Sequence, residues 1–437
     1  TSDNYSIEDY FSSEKSVYDS LHDSYHHFMK YIKESSKSLK ESFFAIFLSI
    51  LTDVLAGLFL GKLEETLLLL PGLIILIPGA MGMRGHVFGS LGSRLGSALH
   101  IGSIDNFTFK NKIIKNNFYA SLTLTIFTSV FLGFVAYALL IAFGFKAASP
   151  LSLMLISFLG GIASGIILIF ITFGIAILSH RKGWDPDNVT SPLITALGDF
   201  FTIPTLALSA FFILGLPGFY IILASVFVIA LAVIDMIIVF KGESTFDMMV
   251  MRDGSKKKIV MQSVIVMMFA GILSALSGVM LEHNITAITA VPIILTLLPA
   301  FLEEGGNIGN ILSSRISTKL HIGAMEPDFR IDKDIKREFV VSYLLTVMVF
   351  PIVGVLSYAL GLLIGIGGMS FSQTILVSLI AGLMMTTVVI ISTFFISIIA
   401  YRMKINPDNV TIPMITGIAD ILGVFSLIFV LGVFGVI

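Results

Sequence analysis

Residues 184–199 read WDPDNVTSPLITALGD, and residues 405–420 read INPDNVTIPMITGIAD. The two stretches lie 221 residues apart and match at most of their positions. The same offset aligns further residues along two long regions of the chain: Pro71 with Pro292, Pro78 with Pro299, Arg94 with Arg315, His100 with His321, and Gly102 with Gly323. One offset that holds without gaps over several apolar segments indicates an internal duplication.

The composition predicts a protein that crosses a membrane several times. The chain has 437 residues, of which 56% are hydrophobic and only 13% are charged, and its mean hydropathy is +0.96. Soluble domains carry about 25% charged residues, so a soluble fold of this composition would expose apolar surface to water. The absence of cysteine excludes disulfide bonds and thiolate metal sites. No basic stripe suggests a nucleic-acid partner.

Apolar runs of about 17–25 residues predict eleven transmembrane helices in an all-α polytopic protein. The predicted spans are residues 43–61, 65–81, 117–144, 150–179, 189–213, 217–240, 259–281, 285–302, 339–366, 371–400 and 409–436. The runs at 65–81 and 285–302 are short and lead into glycine-rich polar segments. These two runs are therefore interpreted as broken or partly re-entrant helices.

The positions of Lys and Arg predict the orientation. If the N-terminus is cytoplasmic, only Lys62 and Lys146 of the 27 basic residues lie outside, and the others lie on the inner side. Cytoplasmic loops of membrane proteins are enriched in Lys and Arg. We therefore expect an integral protein of the cell membrane, embedded in the lipid bilayer, with its N-terminus in the cytoplasm and its C-terminus outside.

The duplication and the orientation together predict the domain organisation. Residues 42–214 form a first repeat of five helices, residues 215–257 hold a linker helix and a cytoplasmic loop, and residues 258–437 form a second repeat. Because the linker helix restores the orientation, the repeats are expected to be parallel and related by a pseudo-twofold axis along the membrane normal. A chain that supplies both halves is expected to work as a monomer.

The N-terminal residues 1–41 are polar and rich in serine, so they are not a span. Apolar residues recur there every three or four positions, at Val17, Leu21, Tyr25, Phe28 and Ile32. This spacing predicts an amphipathic cytoplasmic helix that lies on the cytoplasmic loops or on the lipid surface. A regulatory plug is the alternative interpretation.

Two aspartates are predicted to lie deep in the membrane. Asp199 follows the start of its span by ten residues, which places it about 15 Å deep, half of a hydrocarbon core of about 30 Å. Asp420 is its repeat equivalent. A carboxylate at this depth costs about 2.5–3.5 kcal/mol on insertion scales and is a functional candidate. With all cations assigned to the loops, two facing acids would repel each other, and a divalent cation would remove that repulsion. The alternative is a pair of protonated or Ser/Thr-bonded aspartates that join helices.

Three neighbouring residues are further candidates for a cation site. Thr195 and Thr416 lie one helical turn before the two aspartates, on the same helix face. Their oxygens would complete an oxygen site, although back-bonding to the helix also explains such threonines. Asp53 lies at a similar depth in the first span, and Ser274 replaces it in the second repeat.

The segment from Pro292 to Gly323 contains GGNIGN and SSRISTKLHIG. It resembles the signature segment of MgtE-type divalent-cation transporters, and the two stretches quoted first resemble the last pore helix of that family. The doubled arrangement is similar to solute carrier family 41 and its prokaryotic relatives. The resemblance covers residues 42–437.

The resemblance implies a pore between two five-helix units, in which Asp199 and Asp420 bind Mg²⁺ with the backbone at Thr195 and Thr416. The asparagines of the family's GGN segment correspond to Asn307 and Asn310. The first repeat has His86 and Gly89 at those positions, so the resemblance does not imply a symmetric contribution from this segment.

The predicted function is the transport of divalent cations, with Mg²⁺ as the main ion and Mn²⁺ or other divalent cations as alternatives. Carboxylate and carbonyl oxygens suit a hard, largely hydrated cation. A Na⁺- or H⁺-coupled exchanger is an alternative, with Asp53 as the coupling residue. No enzymatic activity is expected. An intramembrane aspartyl protease is the alternative from another class, but the LGDF and IADI sequences do not match the motifs of such proteases.

Overall fold

The computed structural model describes residues 36–100, 104, 110–182, 186–241, 256–403 and 407–437. The chain divides into two units, and the second unit, Ala45–Ile437, contains every contact discussed below. The predicted amphipathic helix of residues 17–32 lies outside the described residues.

The described residues form thirteen α-helices and no β-strand. The first repeat and the linker contain α1 (Ser36–Gly61), α2 (Glu64–Leu69), α3 (Leu73–His100), α4 (Lys112–Ala142), α5 (Pro150–Lys182), α6 (Pro186–Leu214) and α7 (Gly218–Lys241). The second repeat contains α8 (Lys256–His283), α9 (Ile285–Thr289), α10 (Ile293–His321), α11 (Lys333–Leu363), α12 (Phe371–Arg402) and α13 (Pro407–Val433).

Equivalent helices begin with equivalent residues in the two repeats. Asn111 caps α4 by accepting a hydrogen bond from the amide of Ile113, and Asp332, 221 residues later, caps α11 by accepting one from Ile335. Such side chains satisfy amide groups that have no partner inside the helix. Both α6 and α13 begin with a proline, a residue that the first turn of a helix tolerates well.

Nine of the described helices are long and apolar enough to cross a membrane. They are α3, α4, α5, α6, α7, α8, α11, α12 and α13. The described apolar part of α1, Ile46–Gly61, is shorter than a full span. Helix α10 carries two adjacent glutamates and two asparagines in its middle. The structure therefore supports a polytopic all-helical membrane protein, and the count of eleven spans stays a prediction.

The two short predicted spans differ from the observed helices. Each run is interrupted, at residues 70–72 and 290–292, by a turn that contains a proline. In the first turn Gly72 has a φ of +95°, which glycine adopts without a steric cost. The glycine-rich segments that follow are continuous helix within α3 and α10. The breaks therefore lie before the glycine-rich segments, whose small residues allow close helix contact instead.

Equivalent glycines set the contact between the two repeats. A Cβ on Gly57 of α1 would overlap the backbone carbonyl of Thr296 on α10. A Cβ on Gly278 of α8 would lie 2.6 Å from the Cα of Ile75 on α3. Gly278 is the repeat equivalent of Gly57, and Ile75 is the repeat equivalent of Thr296. Each repeat thus places its first helix against the glycine-rich helix of the other repeat, and the backbones meet without intervening side chains.

We expect Gly57→Ala and Gly278→Ala each to lower the stability of the protein, because the added methyl group meets backbone atoms that no rotamer change can move. Overpacking of this kind typically costs about 1–3 kcal/mol. The control is Gly174→Ala, since Gly174 lies in a helix with no neighbouring atom within 4 Å of its Cβ position. Thermal unfolding in detergent checks the prediction. Equal melting temperatures for all three variants would contradict it.

Candidate metal centre

Asp199 and Asp420 lie in the same interior. Asp199 is on α6 and Asp420 on α13, each thirteen residues after the proline that begins its helix. Asp199 is fully buried and Asp420 is 6% exposed. The two carboxylates lie close enough to interact electrostatically. The residues that the sequence singled out therefore come together from the two repeats.

The two aspartates have different hydrogen-bond partners. Asp420 accepts a hydrogen bond of 2.5 Å from the hydroxyl of Ser274 on α8. Neither carboxylate oxygen of Asp199 has a hydrogen-bond partner among the described residues. Burying an unpaired charged group is strongly unfavourable. Asp199 is thus the less satisfied member of the pair.

Asp53 lies on α1 beside Asp199. It is fully buried, and it interacts electrostatically with Asp199, Glu303 and Glu304. One of its oxygens accepts a hydrogen bond of 3.1 Å from Ser49, and the other has no partner among the described residues. Asp53 therefore belongs to the same group of acids. Its repeat equivalent, Ser274, takes the corresponding position beside Asp420.

Two adjacent glutamates of α10 complete this group, and the sequence analysis did not select them. Glu303 interacts electrostatically with Asp53, Asp199 and Asp420. Glu304 is fully buried and accepts a hydrogen bond of 3.3 Å from Asn307. The signal was present, because two consecutive acids within an apolar run are as rare as the aspartates. The glycines beside them favoured the interpretation of this run as a broken or partly re-entrant helix.

The remaining candidate residues bind either to other candidates or to the backbone of their own helix. Asn310 donates a hydrogen bond of 3.5 Å to the hydroxyl of Thr416, which itself donates to the carbonyl of Ile412. Asn307 donates a hydrogen bond to Glu304. Thr195 contacts the Cβ position of Gly85 at 2.9 Å. The structure thus brings Asn310 and Thr416 together, and it also shows the backbone bond that the alternative interpretation gave for Thr416.

The acids surround an interior and do not converge on one point. Among the described residues, no three His, Asp or Glu side chains are grouped closely enough to hold a metal ion by themselves. Within the same part of the chain, none of the five carboxylates forms an ion pair with Lys or Arg. The arrangement provides an acidic interior in which a cation with its own water ligands has several carboxyl groups nearby.

One basic residue corrects the sequence analysis, which assigned all inner cations to the loops. Arg84 lies within α3 and is 1% exposed. Its guanidinium donates a hydrogen bond of 2.7 Å to Ser129. The repeat equivalents of Arg84 and Ser129 are Gly305 and Phe350. In the second repeat the side chain of Met385 lies against the Cβ position of Gly305. The prediction failed because the span at 65–81 was ended too early, whereas α3 continues to His100.

Comparison with known proteins agrees with these features. A model of the MgtE family, described as divalent cation transporter, matches residues 77–209 and 298–430. The second match begins 221 residues after the first, which is the offset of the internal repeat. The two matches together cover more than half of the chain.

Several curated relatives are similar over much of the chain. Solute carrier family 41 member 3 of Rattus norvegicus is 26% identical over 80% of this chain and 77% of the relative. The Mus musculus protein of the same name is 26% identical over 80% of this chain and 73% of its own length. Solute carrier family 41 member 2 of Homo sapiens is 30% identical over 57% of this chain and 42% of the relative. No solved structure is significantly similar to the chain.

The repeated match of the family model and the shared relatives lead to one assignment: the chain belongs to the MgtE family of divalent cation transporters.

Proposed function

We propose that this protein transports Mg²⁺ across the cell membrane and that the ion pauses between Asp199 and Asp420. The observation that carries the proposal is the meeting of two buried, repeat-equivalent carboxylates from α6 and α13. Such groups are expensive in a membrane interior unless they bind a cation or a proton. The family assignment supports a divalent cation as the transported ion.

The proposed pathway runs between two parallel repeats, residues 42–214 and 258–437, joined by the linker of residues 215–257. The equivalent contacts of Gly57 and Gly278 support a pseudo-twofold relation, and we propose that its axis follows the membrane normal. In this arrangement eleven helices cross the bilayer, the N-terminus is cytoplasmic and the C-terminus is outside. One chain supplies both halves of the site and functions as a monomer.

Mg²⁺ fits the available ligands better than a soft metal does. It prefers oxygen ligands and keeps several water molecules, and the described interior offers carboxylates, amides and hydroxyls without a thiolate. In the proposed site the aspartates face the hydrated ion, Asn310 and Thr416 bind its water shell, and Asn307 holds Glu304. Thr195 is proposed to act as Thr416 does. Mn²⁺ is expected to substitute, since it accepts the same oxygen ligands.

We expect the double variant Asp199→Asn with Asp420→Asn to reduce Mg²⁺ flux at least about tenfold, as loss of groups that hold a metal typically does. Asn keeps the volume of each side chain and removes its charge. Flux into proteoliposomes that contain a Mg²⁺-sensitive dye measures the effect. The matched control is Asp235→Asn, because Asp235 lies away from the site and pairs with Lys256 at 3.7 Å. Wild-type flux in the double variant would disprove the proposed site.

A coupled exchanger is the second candidate function, and the position of Asp53 beside Asp199 favours it. A coupling cation bound at Asp53 would alter the charge that Mg²⁺ meets. We therefore expect Mg²⁺ flux in proteoliposomes to respond to an imposed Na⁺ or pH gradient, and Asp53→Asn to abolish that response. Flux that depends on the Mg²⁺ gradient and the membrane potential alone would show a channel instead.

The family assignment leaves the protease alternative without support, since the matching family model describes a transporter. The protein is accordingly proposed to have no enzymatic activity.

A further inference from the structure

The interior around the two aspartates has two sides that are equivalent by position and different in chemistry. The acidic lobe consists of Asp53, Asp199, Glu303 and Glu304. The neutral lobe consists of the four residues at the equivalent positions, which are Ser274, Asp420, Gly82 and Met83. We infer that the cation binds in the acidic lobe, off the pseudo-twofold axis, and that each chain therefore has one one-sided site instead of a symmetric one.

This inference rests on the proposed function and makes it more specific. It adds Glu303 to the ion-binding residues, and it predicts that the two aspartates contribute unequally.

The first argument is the contact between members of the acidic lobe. Asp53 from α1, Asp199 from α6 and Glu303 from α10 interact electrostatically with one another. Three helices from both repeats thus contribute carboxylates that surround the same interior, and Asp420 also interacts with Asp199 and Glu303. A cation in that region is attracted by all of them, and such attraction is strong where water is scarce.

The second argument is that the acidic lobe has unused acceptor oxygens. Asp199 is fully buried, and both of its carboxylate oxygens are without a hydrogen-bond partner among the described residues. One oxygen of Asp53 and one of Glu304 are in the same situation. Buried polar atoms of folded proteins are nearly always paired. Four carboxyl oxygen atoms without a partner on one side indicate a place that binds a positively charged species, a metal cation or a proton.

The third argument is that the acid of the neutral lobe already has a hydrogen-bond donor on one of its oxygens. The carboxylate of Asp420 accepts the hydroxyl proton of Ser274 at 2.5 Å, and the Cβ position of Gly82 lies 3.2 Å from that hydroxyl oxygen. The methyl group of Met83 fills the space beside Gly271. This lobe therefore offers one carboxylate, already hydrogen-bonded through one oxygen, where the acidic lobe offers four.

Mn²⁺ binding to the purified protein in detergent, measured by electron paramagnetic resonance, tests the inference without requiring transport. We expect Glu303→Gln to raise the dissociation constant at least about tenfold. The matched control is Glu282→Gln, which removes another buried carboxylate, one that binds the amide of Gly72 and lies outside both lobes. The control is expected to bind Mn²⁺ as the wild type does.

An anomalous-difference map from wild-type crystals soaked in Mn²⁺ provides a second measurement that does not depend on the folding of a variant. We expect one peak, closer to Asp199 than to Asp420. A peak midway between the two aspartates, or wild-type affinity in Glu303→Gln when Asp199→Asn binds weakly, would overturn the one-sided site and leave the proposed function intact. A wild-type protein that neither binds Mn²⁺ nor transports Mg²⁺ would overturn the proposed function and this inference with it.

Discussion

The burial of several carboxylates in one interior, with no basic partner among the residues that the structure describes, is the constraint on which the rest of the structure depends. Asp53, Asp199 and Glu304 are fully buried, and the hydrogen bonds described for them come from serine and asparagine. Neutral donors compensate only part of the cost of burying a negative charge. Helices held around such an interior are stable when a cation or a proton balances that charge, so any cation that binds there also stabilises the packing of the helices.

The duplication explains why the helices meet as they do. In both repeats the first helix crosses the glycine-rich helix of the other repeat, and the contact is made by Gly57 with Thr296 and by Gly278 with Ile75. The C-terminal parts of α3 and α10 are also alike. Arg94 donates a hydrogen bond to Asn117, while its equivalent, Arg315, forms an ion pair of 3.0 Å with Glu338. The backbone geometry is shared, and the charges on it have diverged.

The pair formed by Arg84 and Ser129 shows the same divergence in a buried position. The second repeat has Gly305 and Phe350 there, with Met385 filling the space beside the glycine. Apolar packing evidently fits this site, and replacing buried charges by apolar residues is often neutral or stabilising in proteins. The two repeats therefore fill equivalent positions in different ways, with a buried hydrogen-bonded arginine in one and apolar packing in the other.

The sequence by itself determined the membrane class and the internal repeat, and it selected Asp199 and Asp420 as candidates, because hydropathy, a constant offset and a charged residue within an apolar run are all properties of residue order. It did not determine where the short spans break. Both a proline and a run of glycines can end a helix, and only the packing of neighbouring helices shows that the chain turns at the prolines and stays helical through the glycines. Only the tertiary structure placed Glu303 and Glu304 beside Asp53 and directed Arg84 toward Ser129. These relations join helices that are far apart in the chain, and the field at a buried site depends on distances in space that residue order does not contain.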